Sequence, residues 1–308
     1  MVLRNNYINF ILIIVFVICI YKMHYSAVRI LNHRKIQAKE IKKVKIMKKS
    51  NPSKSYEILC SYKGKNGKSI CDKQDEKQMG KIVKNAYLDM PSKKSYNFRK
   101  QPPELNGQIG VPKIVDDLLG NKKNGFYIES GGYDGEQLSN SLFFELKRNY
   151  RGLLVEPNKS NYKKLRSVNR KAYSVNACYS TSGLPMLVDF VNANDIGSIK
   201  KFSHFYNDKQ KEKYQGESKA ICLSFYSILL AVGNPVVDYF SLDIEGAESS
   251  VLKTIPWEKV NIKVLSIECG TIARCKKIGD FMKSVGYTIV RYVPSEDFPQ
   301  DIICKKKP

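Results

Sequence analysis

The 308 residues include 52 Lys and Arg against 29 Asp and Glu, a net charge of +23, with 43% hydrophobic and 11% aromatic side chains. That apolar content excludes a wholly disordered chain. Three histidines in all (His24, His33, His204) argue against a multi-His metal site or a Ser-His-Asp centre. The length holds one domain of about 200–250 residues plus appendages, or two small ones. The excess of positive charge first suggests nucleic acid.

In chain order, residues 1–6 are a short tail. The strongly apolar run is residues 10–21 (FILIIVFVICIY), extendable to Tyr7. It is short for a spanning helix, which takes about 17–25 residues. Arg4 and Lys22 can snorkel, however, and early secretory membranes are thin. Residues 7–23 are therefore expected to be a transmembrane signal anchor. A cleaved signal peptide and an interfacial helix are the alternatives, although no small-x-small cleavage site follows. Residues 22–54 hold eleven Lys/Arg against Glu40 alone, +10 of the total. This reads as a juxtamembrane stretch facing anionic headgroups, worth about 1 kcal/mol per charge near the surface. The nucleic-acid reading then loses its support, since no motif backs it.

Orientation is pulled two ways. The basic stretch favours a cytosolic C-terminal side, and Lys305-Lys306-Lys307-Pro308 resembles a dilysine tail, although a solvated charged tail is the plainer account. Seven cysteines beyond the anchor (Cys60, Cys71, Cys178, Cys222, Cys269, Cys275, Cys304) favour an oxidising lumen. Their odd number leaves at least one unpaired. No metal site is expected.

Residues 24–104 read as basic juxtamembrane segment and irregular stem, with one Cys60–Cys71 loop expected. From about residue 105 to 308 short apolar runs alternate with helical stretches. Strands are expected at 126–129, 152–156, 172–177, 186–191, 237–242, 264–268 and 287–292, with helices at 136–148, 160–169, 226–232 and 247–254. Residues 192–219 read as a polar loop containing a solvated His204. Trp257 reads as a packing anchor. Such alternation argues for an α/β fold, an open and mostly parallel sheet with helices on both faces. Ligands of such sheets bind at the carboxyl ends of the strands.

Three strand ends carry chemistry. The first runs Glu129-Ser130-Gly131-Gly132-Tyr133-Asp134-Gly135. Its glycines let backbone approach a ligand closely, and its spacing is neither GxGxxG nor a phosphate loop. Acids on both sides suit a ligand with an amine and a sulfonium, as in S-adenosylmethionine. The second ends at Glu156, where an acid accepts hydrogen bonds from ribose hydroxyls. The third is Asp243-Ile244-Glu245-Gly246-Ala247-Glu248, with Glu268 ending the next strand. These carboxylates are suited to deprotonating a hydroxyl, binding a cation or holding a cationic substrate. Of equal weight is the reading that Glu248 caps the next helix and Asp243 organises the loop.

Residues 129–140 (ESGGYDGEQLSN), 152–158 (GLLVEPN) and 238–248 (DYFSLDIEGAE), followed by Ile255-Pro256-Trp257, together resemble the FkbM-type methyltransferase domain, in particular its Star-like branch, over roughly residues 105–304. The resemblance implies a Rossmann-like class I methyltransferase that transfers a methyl group from S-adenosylmethionine, typically to a hydroxyl oxygen. By position, Glu129, Gly131, Gly132, Asp134 and Gly135 would form the cofactor turn. Glu156 would hold the ribose, with Pro157 and Asn158 beside the adenine. Asp243 and Glu245 match the family's acidic motif near the methyl donor and, with Glu268 from the next strand end, are the catalytic candidates, while Cys178 and Cys222 fall at family-like positions that suggest a disulfide. A single membrane anchor, a luminal domain in the endoplasmic reticulum/Golgi system and a membrane-bound cargo partner also fit the Star-like group. That group admits a non-catalytic cargo escort as an alternative function. Asn158-Lys159-Ser160 is an N-glycosylation sequon whose glycan would obstruct the cofactor.

Overall fold

The computed structural model describes the backbone of every residue except 1, 73–74, 204–207, 296 and 298. The side chains of 2–20, 23, 27, 208 and 209 also lie outside the description. His204 and the side chains of nearly all of the expected anchor at 7–23 therefore fall outside the description. Among those described, no helix is long and apolar enough to cross a membrane.

The chain divides into residues 1–49 and a compact unit, residues 50–308. The first is helix α1 (Val2–Lys49). The second begins with α2 (Pro52–Cys60), α3 (Glu76–Ala86) and β1 (Leu88–Asp89). The stretch after residue 50, expected to be irregular stem, is thus folded. Asn51 and Asp75 cap α2 and α3 by accepting from Lys54 and Gln78 N–H. Met79, Ile82, Val83 and Ala86 form the buried stripe of α3. Cys60 is bonded to Cys71.

The alternation that follows is α4 (Val111–Leu118), β2 (Phe126–Ser130), α5 (Leu142–Arg148), β3 (Arg151–Val155), α6 (Lys159–Ser167), β4 (Tyr173–Val175), β5 (Cys178–Tyr179), β6 (Met186–Val191), β7 (Ser198–Ile199), α7 (Asp208–Glu212), β8 (Glu217–Leu223), α8 (Phe225–Ala231), β9 (Val237–Leu242), α9 (Glu248–Leu252), β10 (Ile262–Glu268), α10 (Ile272–Ser284), β11 (Tyr287–Val293) and β12 (Asp301–Lys306). The helix expected at 136–148 starts only at Leu142, because residues 131–140 are spent on a turn in which Leu138 has φ +58°. The expected polar loop at 192–219 holds β7, α7 and the start of β8. Lys305 and Lys306, expected in a free tail, belong to β12.

Among the described residues the strands build two sheets. The larger has the order β1-β4-β3-β2-β9-β10-β12-β11. β4, β3, β2, β9 and β10 run parallel, while β1, β12 and β11 join antiparallel. Strand order reverses between β2 and β9, the switch point at which open sheets of this kind bind ligands. Alternation sends Tyr127, Leu154, Tyr239 and Val264 to a core with Val111 and Val115 of α4, Phe144 of α5 and Leu165 of α6. Phe240 faces the other way, against Tyr179 and Phe225. α3 lies on α8, where a Cβ on Gly80 would come 2.8 Å from Leu230. Trp257 packs on Phe281 and Tyr287 and donates to the Leu252 carbonyl. The smaller sheet, β5-β8-β6-β7, carries the Cys178–Cys222 disulfide on neighbouring strands.

Candidate active site

The carboxyl ends of β2, β3, β9 and β10 open onto three adjoining clefts. The first has apolar walls from Val155, Pro157, Ala177, Phe190 and Ile199, and acidic groups from Glu156, Asp195, Asp243 and Glu245. The second is lined by Glu129, Gly131, Gly132, Ser139, Asn140, Asp243 and Glu245. The third is lined by Phe202, Glu245, Glu268, Thr271 and Arg274. Glu245 faces all three, and Gly131 and Asp243 are shared by the first two.

The turn after β2 is built by its own acids. Gly131 has φ +79°, and a Cβ there would lie 2.0 Å from the Asp243 carbonyl oxygen, so only glycine fits. Glu129, buried, accepts from Ser139 Oγ (2.8 Å), Ser141 Oγ (2.6 Å) and the Asn140 N–H (2.6 Å). Asp134, buried, accepts from the Glu136 and Gln137 N–H groups and pairs with Arg99. Its oxygens are therefore spent inside the turn. The Gly135 carbonyl accepts from the Arg170 guanidinium (2.6 Å). Neither Asp134 nor Gly135 lines a described cleft, so both shape the turn from behind.

Beneath the turn sits Arg170, 2% exposed. It bonds Glu145 (3.0 Å), the Tyr127 hydroxyl, Ser139 and Ser141. Its charge holds the Glu145 carboxyl below the usual range despite burial. Nothing local in the sequence marks Arg170 or Arg99, because each reaches partners some 25–43 residues away.

Glu156 accepts the N–H groups of Asn158 (2.7 Å) and Tyr133 (2.9 Å). Burial pushes its carboxyl up to about 8. Asn158 is 3% exposed and caps α6 by accepting from Ser160 and Asn161 N–H, so it lines no described cleft. Burial of its amide also removes the sequon from the surface.

The acidic cluster at the ends of β9 and β10 is under-neutralised. Burial, then the neighbouring Glu268, pushes Glu245 up to about 8. Burial, then Glu245, raises Asp243, and burial, then Asp243, raises Glu268. Glu268 Oε2 is buried without a hydrogen-bond partner. Glu245 adopts φ +56°, rare for a non-glycine residue. Cys269, next to Glu268, is bonded to Cys275 of α10, a pair not foreseen from sequence. Cys304 is free and buried.

Residues 129–289 match the methyltransferase FkbM domain family. The chain belongs to that family. The FkbM domain makes it an S-adenosylmethionine-dependent methyltransferase with a Rossmann-like sheet. No curated protein matches the chain in sequence. Among solved structures, the chain is similar at 13% identity to a precorrin-6y C5,15-methyltransferase from Geobacter metallireducens, covering 70% of this chain and 100% of that one with a TM-score of 0.37. The METTL16 methyltransferase domain is similar at 10% identity, covering 80% and 85%, TM-score 0.40. A Burkholderia thailandensis 1,6-didemethyltoxoflavin-N1-methyltransferase with bound S-adenosylhomocysteine is similar at 12% identity, covering 64% and 77%, TM-score 0.33.

The residues of the FkbM domain fit this cofactor. The bare Gly131 backbone admits close approach, and apolar walls with one buried carboxylate suit an adenosine. Glu129, Asp243 and Glu245 suit the cationic end of the ligand. A bound cation would relieve the repulsion that now raises Asp243 and Glu245.

Proposed function

We propose that the chain is a membrane-anchored O-methyltransferase whose acceptor hydroxyl enters through the third cleft. The observation that carries this reading is Glu245. It faces all three clefts at once, so a proton acceptor stands where cofactor and acceptor spaces meet. S-adenosylmethionine supplies an electrophilic methyl group when bound. The chain must then align an oxygen with it and take the proton. Glu245, raised to about 8, holds its proton near neutral pH until a cationic cofactor lowers it, and once ionised it is the base that takes the hydroxyl proton, with Glu268 and Asp243 acting on it electrostatically. Glu156 and the Glu129–Asn140 turn position the cofactor.

Anchoring rests on the apolar run 10–21 within α1 and the basic stretch behind it, which suits anionic headgroups. The Cys60–Cys71, Cys178–Cys222 and Cys269–Cys275 pairs support a luminal domain in the endoplasmic reticulum/Golgi system, where an acceptor on membrane-bound cargo would be met. The test is transfer of labelled methyl from S-adenosylmethionine to a secretory-membrane fraction. O-methyl ethers survive mild alkali, whereas methyl esters do not. Alkali-stable label that Glu245→Gln lowers at least about 100-fold is expected. Label that is absent, alkali-labile or unaffected by the substitution sinks the reading.

A further inference from the structure

The loop that carries Glu245 is conformationally costly. Glu245 and Gly246 take successive positive φ values, +56° and +106°. A left-handed glutamate does not hold that shape unaided. The hydrogen bonds around it converge on one side chain. Glu248, wholly buried, accepts the Ile244 N–H at 3.0 Å and the Gly246 N–H at 3.1 Å to each of its two oxygens. One of those oxygens also accepts from Arg274 of α10 at 2.8 Å. Arg274 and Glu245 both line the third cleft. The Cys269–Cys275 disulfide ties the start of α10 to the end of β10.

We propose that Glu248 is a positioning residue for methyl transfer, holding the Ile244–Gly246 loop so that Glu245 faces the clefts and joining that loop to the Arg274 wall. The proposal rests on Glu245 as proton acceptor, and Glu248 itself lines none of the described clefts. Its charge adds a second effect. Besides burial, the groups acting on Glu245 are Glu268, Glu248 and Asp195, which raise its pKa, and Lys213, which lowers it, while Glu245 in turn raises Asp243. Glu248 also raises Glu268, against Arg274. Neutralising Glu248 therefore loosens the loop and makes Glu245 a weaker base, a combination that lost packing alone would not give.

The test uses the full chain with Glu248→Gln, which keeps size and removes charge, and Glu248→Asp, which keeps charge and shortens the reach. Backbone hydrogen exchange at residues 244–246 reads the loop, and carbon-13 glutamate NMR, assigned with Glu245→Gln, reads the titration midpoint of Glu245. In Glu248→Gln we expect exchange in the loop to rise about tenfold or more and the midpoint to fall from about 8 toward the ordinary carboxylate range. In Glu248→Asp exchange should rise while the midpoint stays high. Should Glu248→Gln fail to fold, Arg274→Met removes only the half-exposed partner and is expected to raise loop exchange by a smaller factor. Unchanged exchange in the folded variants, or an unchanged midpoint in Glu248→Gln, overturns the proposal. Cofactor affinity of the native chain, measured alongside, tests the methyltransferase reading alone, because neither loop readout depends on it.

Discussion

Single residues set the site's limits. At Gly131 a methyl group would collide with the Asp243 carbonyl and the backbone is left-handed. Gly131→Ala is accordingly expected to abolish measurable cofactor binding and lower the melting temperature. Burial raises Glu156 and Glu245 to about 8 and Asp301 to about 6. Each thus contributes stability that is complete below the ordinary carboxyl range and lost as pH rises through the folded value. The melting temperature without ligand should fall between pH 5 and 8.5, and Glu156→Gln with Glu245→Gln should flatten that slope. A flat native profile would contradict the burial argument. Asn158 caps α6 with its amide buried, so peptide mapping should find it unmodified even in a luminal domain, and Asn158→Ala should cost about 1 kcal/mol.

Elements were unequally legible. The parallel strands β2, β3, β9 and β10 stand out as continuous apolar runs, and their ends supplied Gly131, Glu156, Asp243 and Glu268 directly. α3 was hidden because its stripe, Met79, Ile82, Val83 and Ala86, is interrupted by Lys77, Lys81 and Lys84 and has only two residues of strand after it. Asp134 looked like a cofactor ligand because its use depends on Arg99, 35 residues upstream. Nor could local pattern show Arg170 joining the turn after β2 to Glu145 of α5. Removing one partner of such a buried pair leaves the other uncompensated. Arg170→Met should lower unfolding stability by about 3–5 kcal/mol in urea titrations, with the loss centred on residues 131–141 in hydrogen exchange. A loss below about 1 kcal/mol would mean the pair is dispensable.

At the scale of the molecule, the compact unit begins at residue 50 rather than 105. β1 pairs with β4, α3 covers α8, and the Arg99 and Lys100 N–H groups donate to Glu136 behind the turn after β2. A chain starting at residue 105 should therefore aggregate or melt well below one starting at residue 50. The charge that dominates the composition, +23, has little to do with the site, where acids outnumber bases and a cationic cofactor is the natural complement. Calorimetry of S-adenosylmethionine binding to the full chain, in two buffers of different ionisation enthalpy, tests that complementarity directly. One site is expected, with protons released on binding near pH 7.5, affinity weakened at least about tenfold in Glu156→Gln and lost in Gly131→Ala. No binding, or binding that takes up protons and ignores both substitutions, would contradict the account.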